Sequence, residues 1–190
     1  MEERQEQELV SRLRQGDGAA FDRIYEAFRP RVFSFLARLC GRRDLAEDLL
    51  QETWLRLASQ APELREDTRL GPWLFTVARN LFISQWRRQR YALDRQGELE
   101  GQQALSPGWI SPFDLAAAGE TERALERALA ALPLSSREVI LLVAIEHLEI
   151  AEVARALSLS PEAVRQRLSR ARAQLAEHLA TLEGRKETRQ

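Results

Sequence analysis

Ile150-Ala151-Glu152-Val153-Ala154-Arg155-Ala156-Leu157, then Ser158-Leu159-Ser160, then Pro161 opening a second helical run, is the stretch that decides the fold. Its first part alternates apolar and polar residues at helical spacing. Ser160 before Pro161 pairs a hydroxyl suited to capping with a ring suited to the first helical position. A short helix, a tight turn and a second helix make the layout of a helix-turn-helix. In the second helix Val164, Leu168, Ala171 and Leu175 fall on one stripe, and Glu162, Arg165, Gln166, Ser169 and Arg170 point away from it. Arg and Gln near a helix N-terminus can pair with guanine and adenine edges in the major groove. Helical hairpins that never touch DNA also carry arginines, so both readings stand on these residues alone.

Upstream, a helix is expected from about Thr121 to Leu132, stopped by Pro133. Leu134-Ser135-Ser136-Arg137-Glu138 then opens a helix over Val139–Glu146 with a serine cap. Before Thr121 the character changes. Between Gln96 and Glu122 there are five acids, no Lys or Arg, and four of the nine glycines, together with Pro107 and Pro112. That composition reads as a linker. Trp109, Ile110 and Phe113 sit inside it, placed either to dock on a neighbouring domain or to meet a partner.

The N-terminal part is also helical in period, with strand-like alternation absent. A helix from about Glu6 to Arg14 precedes the Gln15-Gly16-Asp17-Gly18 break, and a second runs from Ala19 through Phe28 until Pro30 interrupts it. Val32, Phe33, Phe35, Leu36 and Leu39 then form an apolar band. Asp44 with Glu47 three residues later has the form of a cap for a helix to about Ser59. On that helix Ala46, Leu49, Leu50, Thr53 and Leu57 share one side, while Asp48, Gln51, Glu52 and Leu55 share the other. The second side suits a solvated surface or an interface.

After a charged loop over Glu63–Leu70, Gly71-Pro72 starts a helix with two contrasting faces. Leu74, Val77, Ala78, Leu81 and Phe82 make the apolar stripe; Trp73, Thr76, Asn80, Ser84 and Arg87 lie opposite, continued by Arg88 and Tyr91. Aromatics on which bases stack, beside arginines that hold phosphates, suit single-stranded or melted DNA as well as ordinary surface.

Composition narrows the function. The 190 residues are 44% hydrophobic and 30% charged with four Trp, two Tyr and seven Phe, enough for one or two small cores. A single cysteine, Cys40, and two histidines exclude a disulfide scaffold and a structural zinc cluster, leaving only a carboxylate metal site open. The densest apolar run, Val139–Ile145, is far short of the roughly 18–20 residues of a membrane span. An acidic start, Met1-Glu2-Glu3-Arg4, is unlike a signal peptide, so the cytoplasm is the expected compartment. Neither a phosphate-binding glycine loop nor a nucleophile set beside a histidine is present; His147 and His178 are expected on helix surfaces, and no enzyme activity, catalytic residue, cofactor or small-molecule substrate is implied. Net charge is −1, yet it is unevenly spread: five arginines against one acid from Arg79 to Arg95, and four against Glu162 from there to Arg172. Lys186 is the only lysine, a bias that genomic composition or a choice of bidentate donors explains equally.

In order along the chain, these segments resemble the extracytoplasmic-function (group four) sigma factors of bacterial RNA polymerase. Glu8-Leu9-Val10, Gly16-Asp17, Ala20-Phe21 and Ala46-Glu47-Asp48-Leu49-Leu50-Gln51-Glu52-Thr53-Trp54-Leu55-Arg56 are similar to the start of the family's region two. Trp73-Leu74-Phe75-Thr76-Val77-Ala78-Arg79-Asn80 with Arg87, Arg88 and Arg90 is similar to its promoter-melting segment. Leu132-Pro133, Arg137-Glu138-Val139, Glu152-Val153-Ala154, Val164 and Arg167-Leu168-Ser169-Arg170-Ala171-Arg172 match its region four.

The resemblance implies an all-α fold of two small helical domains: residues 1–95 like region two, a linker over 96–119, residues 120–184 like region four, and a polar tail over 185–190. It implies that Asp48, Gln51, Glu52 and Leu55 bind core polymerase. Trp73, Thr76, Arg79, Asn80, Ser84, Arg87, Arg88 and Arg90, with the Glu63–Leu70 loop, would hold open the minus-ten element, an extruded base being read in a pocket. Glu162, Arg165, Gln166, Ser169 and Arg170 would read the minus-thirty-five element. Partners would be core polymerase, promoter DNA and an anti-sigma factor. Ser84, Ser158 and Ala163 depart from the family's usual aspartate, glycine and threonine. Two other readings remain: a sigma-like adaptor that sequesters an anti-sigma factor without initiating transcription, and a repressor using only the residues after Thr121.

Overall fold

The computed structural model describes residues 3–96 and 119–187. The expected linker apart from its end residues Gln96 and Gly119, and with it Trp109, Ile110 and Phe113, lies outside the described residues, as does the end of the expected tail. Among the described residues every regular element is helical: α1 (Glu3–Arg14), α2 (Gly18–Cys40), α3 (Arg43–Gln60), a 3-10 turn at Ala61–Glu63, α4 (Leu70–Gln96), α5 (Glu120–Ala131), α6 (Leu134–Ile140), a π turn at Leu141–Ile145, α7 (Ile150–Leu157) and α8 (Pro161–Glu187). The all-helical expectation holds. The chain forms two compact units, one of residues 1–36 and 44–105 and one of residues 37–43 and 106–190.

In the first unit, Asp17 closes the α1–α2 turn by accepting the Ala19 N–H at 2.9 Å and the Arg12 Nε–H at 2.8 Å. Gly16 before it sits at φ 81°, a conformation that favours glycine. Helix α2 continues without a break past Pro30, where the sequence suggested an interruption. Pro30 is exposed, while Ile24, Phe28, Val32, Phe35 and Leu36 are buried on both sides of it. One missing backbone donor costs less than exposing that continuous stripe, so tertiary burial overrides the local break. Helix α3 begins at Arg43, placing Asp44 inside its first turn.

The core stripe of α3 is as expected, with Trp54 added at 6% exposure. Trp54 packs against Tyr25 and Phe21 of α2, ring centroids 4.9 and 6.2 Å away. On α4 the buried residues are Leu70, Leu74, Phe75, Ala78 and Phe82, while Val77 and Leu81 are only half-buried. At about 100° per residue the stripe is therefore rotated toward Phe75. Phe75 is wholly buried, edge-on to Phe35 at 5.4 Å, with the Arg31 guanidinium 5.6 Å from its ring centre.

The second unit is built around Leu129, Leu132, Val139, Leu142, Val153, Val164 and Leu168, all buried. Helix α6 starts one turn earlier than expected, with Pro133 at its N-cap, and the expected serine cap is not made. Ser136 is instead buried, its hydroxyl donating to Gln174 Oε1 on α8 at 2.8 Å. The guanidinium of Arg137 donates to the carbonyls of Ala130 and Leu132 at 2.6 and 2.9 Å, satisfying the end of α5. Burial pulls its pKa below the usual arginine range, to about 10, which leaves it charged at neutral pH. His147 lies in the loop after the π turn at φ 57°, not on a helix surface.

Candidate functional site

Three polar surfaces are set out by these helices. On α3, Asp48, Gln51 and Leu55 are exposed and Glu52 is half-buried, the side opposite the Ala46–Leu57 stripe. Leu55 is 59% exposed, a large apolar side chain on the same helix face as Asp48, Gln51 and Glu52. Glu52 is held by Arg56 one turn on, whose Nε donates to it at 3.1 Å. An exposed leucine among acids and amides has the make-up of an interface centre with a polar rim.

On α4, Asn80, Ser84, Arg87 and Arg88 are exposed, and Trp73, Thr76 and Arg79 are half-buried. Thr76 spends its hydroxyl on the Pro72 carbonyl at 2.6 Å, so what it offers outward is chiefly its methyl group. Arg79 lies at the flank of the face, its Nη1 donating to Asn80 Oδ1 at 3.3 Å. Arg90 belongs to α4 by its backbone, and its side chain lies outside the described ones. Tyr91 is 70% exposed on the same helix.

The segment between α3 and α4 is more ordered than the charged loop expected. Leu64 and Leu70 are buried at its two ends. Between them the Thr68 N–H donates to the Arg65 carbonyl at 3.1 Å, and Arg65 grips Asp67 through two bonds of 2.8 and 2.9 Å. Each partner's charged form is favoured: hydrogen bonding to Arg65 lowers the Asp67 pKa and hydrogen bonding to Asp67 raises that of Arg65. The result is a compact turn with exposed charges.

In the second unit the helix-turn-helix falls where the sequence put it. Glu152 reaches back to the Glu149 N–H at 2.9 Å to box the start of α7. Ser158 ends α7 in the left-handed region, φ 55° and ψ 45°. Ser160 Oγ accepts the Ala163 N–H at 3.1 Å and caps α8. Val164, Leu168 and Ala171 are buried and Leu175 half-buried, whereas Glu162, Arg165, Gln166, Ser169 and Arg170 are all exposed.

Glu162 accepts from Arg165 at 3.2 Å and from Gln166 at 3.4 Å, holding both side chains at the exposed N-terminal end of the helix. Arg167, also in the basic stripe, turns inward to Glu138 of α6 at 3.6 Å and anchors α8. Sequence reasoning did not separate that structural arginine from its neighbours. Among the described residues no group of three or more potential metal ligands gathers, and no helix is long and apolar enough to cross a membrane.

One helical unit, and another that carries a capped helix-turn-helix with an arginine- and glutamine-bearing second helix, make the build of a DNA-binding transcription protein. The family model for Sigma-70 region 2 matches residues 24–91, and that for Sigma-70 region 4 matches residues 122–175. The chain is 33% identical over 174 residues to the RNA polymerase sigma factor CarQ of Myxococcus xanthus, covering 92% of this chain and 97% of CarQ. It is 32% identical over 181 residues to the ECF RNA polymerase sigma factor SigM of Mycobacterium tuberculosis, covering 95% and 87%. The chain belongs to the extracytoplasmic-function (ECF) RNA polymerase sigma factors. As a member it is an alternative sigma factor that directs transcription, with core RNA polymerase and promoter DNA as its partners.

Solved structures share the fold, among them the following two. The sigma factor RpoE in complex with the anti-sigma factor NepR from Bartonella quintana has a TM-score of 0.73 at 24% identity, covering 84% of this chain and 96% of that one. CnrH in complex with the cytosolic domain of CnrY has a TM-score of 0.66 at 22% identity, covering 93% and 97%.

Proposed function

We propose a division of labour among the three surfaces. Residues 1–95 bind polymerase and open the minus-ten element, residues 120–184 bind the minus-thirty-five element, 96–119 connect them, and 185–190 are a polar end whose first three residues continue α8. The matches to region 2 and region 4 fall within the first and third of these spans, which supports the boundaries. Asp48, Gln51, Glu52 and Leu55 dock on core polymerase. Trp73, Thr76, Arg79, Asn80, Ser84, Arg87, Arg88 and Arg90, with the 63–70 turn, hold the melted minus-ten strand by stacking and phosphate pairing. Glu162, Arg165, Gln166, Ser169 and Arg170 read the minus-thirty-five duplex.

The observation that carries this reading is α8. All five of its proposed reading residues are exposed, with the buried stripe on the opposite side and Ser160 capping the end that would enter the groove. The role is non-enzymatic and the compartment the cytoplasm, where promoter and polymerase are. One structure of the same fold holds the anti-sigma factor NepR and another the cytosolic domain of CnrY, and an anti-sigma factor is proposed as a partner of this chain.

The chain has a net charge of −1 and only two short arginine-rich segments, so duplex affinity without polymerase is weak. Binding is therefore expected from the holoenzyme and not from the free chain at physiological salt. Electrophoretic shift of a promoter selected by the holoenzyme tests this; tight, specific binding by the free protein contradicts it.

A further inference from the structure

Helix α1 touches the turn between α3 and α4 at two points far away in sequence. Near its start Glu6 accepts the N–H of Leu70 at 2.5 Å, the residue at which α4 begins. That donor has no partner within α4, so α1 supplies the cap that α4's own sequence lacks. At the other end of α1, Arg14 Nη1 donates to Glu66 Oε1 at 2.8 Å, in the middle of the turn. The two side chains are separated by about 12 Å of helix. Leu9, Val10 and Leu13 are buried between them, which fixes α1 as a rigid strut. The guanidinium of Arg14 is oriented by Nη1 reaching outward to Glu66, while its Nε is buried without a hydrogen-bond partner.

We propose that α1 splints the 64–69 turn, with Glu6 and Arg14 as positioning residues that set how the turn presents itself to the minus-ten strand. Neither residue contacts DNA in this account; each acts through the turn. The proposal rests on the reading of the turn given above. The Arg14–Glu66 pair is solvent-accessible, with side chains 31% and 81% exposed, so it adds little to stability. Its effect lies in where Glu66 and its exposed neighbours Arg65 and Asp67 stand. Leu64 and Leu70 anchor the ends of the turn through burial, and the ion pair holds its middle.

The test uses the full chain with core polymerase, transcribing a promoter library randomised across the minus-ten element, with base preference scored position by position. Arg14→Ala and Glu66→Ala are expected to lower discrimination at the same base position by about 5-fold or more, given that a single read base ordinarily carries at least that much. Their thermal midpoints should stay within about 2 °C of wild type. Glu66→Ala also separates positioning from charge: loss of the splint lowers preference, whereas mere relief of repulsion between Glu66 and phosphate would raise output with preference intact and would overturn the proposal. The charge-swapped pair Arg14→Glu with Glu66→Arg should restore preference. Glu6→Gln, which keeps an acceptor oxygen, should retain preference where Glu6→Ala loses it.

A uniform drop in output with base preference intact, or a folded charge-swapped pair that fails to restore preference, overturns the proposal. A wild-type protein with no minus-ten preference at all overturns the reading of the turn itself, an outcome distinguishable because it appears before any variant is made.

Discussion

Replacing Ser158 by glycine should stabilise the helix-turn-helix unit by about 0.5–1 kcal/mol. Ser158 ends α7 at φ 55°, ψ 45°, where an L side chain costs about 1–2 kcal/mol relative to glycine. Glycine removes that cost but gives the unfolded chain more freedom, which returns about 0.4–1 kcal/mol. The other terms nearly cancel. The serine side chain is exposed, and the turn is closed by the backbone N–H of residue 158 on the Ala154 and Arg155 carbonyls, a bond glycine keeps. For a unit of this size each kcal/mol moves the thermal midpoint by about 4–8 °C, so a rise of about 2–8 °C is expected.

Differential scanning calorimetry of the full chain reads this, with the unit of residues 1–36 and 44–105 as an internal reference. Ser158→Val is the control in the opposite direction, a β-branched residue at positive φ, and should lose about 1–2 kcal/mol. An unchanged or lowered midpoint for Ser158→Gly, or a valine tolerated without loss, would refute the reasoning.

Other outcomes follow from the same structure. Phe75→Ala deletes a wholly buried ring packed on Phe35 and should destabilise the first unit by about 3–5 kcal/mol in urea titration. Leu55→Arg replaces an exposed side chain on the α3 face and should weaken polymerase binding in a pull-down or fluorescence assay while leaving the melting curve unchanged. Arg165→Ala should cost about 1–3 kcal/mol at one minus-thirty-five position if it reads a base, or lower the salt slope of holoenzyme binding by about 0.9 if it holds a phosphate.

The Asp17 carboxylate has its pKa lowered, first by the hydrogen bond from Arg12. Its folded-state pKa is depressed, so its stabilising effect is complete at neutral pH and lost as pH falls below the ordinary aspartate range. Asp17→Asn should flatten the acid limb of an acid-denaturation curve.

The helix-turn-helix was legible because its signals are local: Ser160, Pro161 and the spacing of Val164, Leu168 and Ala171 act within a few residues of one another. The exposed faces of α3 and α8 followed from periodicity for the same reason. Pro30 misled because its penalty is local while the burial that outweighs it spans α2 on both sides. The serine cap at α6 failed because Ser136 finds a partner on α8, a contact spanning 38 residues of sequence. Phe75 is absent from the expected apolar stripe because the apolar residues of α4 cover more than one side of the helix, and only packing against Phe35 chooses which side is buried. The clamp of Glu6 and Arg14 on the 64–69 turn left no local mark, since its contacts span 64 and 52 residues.

The most direct test of the assignment of surfaces is run-off transcription from a random promoter library with core polymerase, with and without the protein, followed by sequencing of start sites. The account predicts new starts downstream of two conserved blocks at fixed spacing, with the upstream block altered by changes at Arg165 or Gln166 and the downstream block by changes at Trp73 or Asn80. New starts whose two blocks do not respond separately to these changes, or no new starts despite polymerase binding, would contradict it.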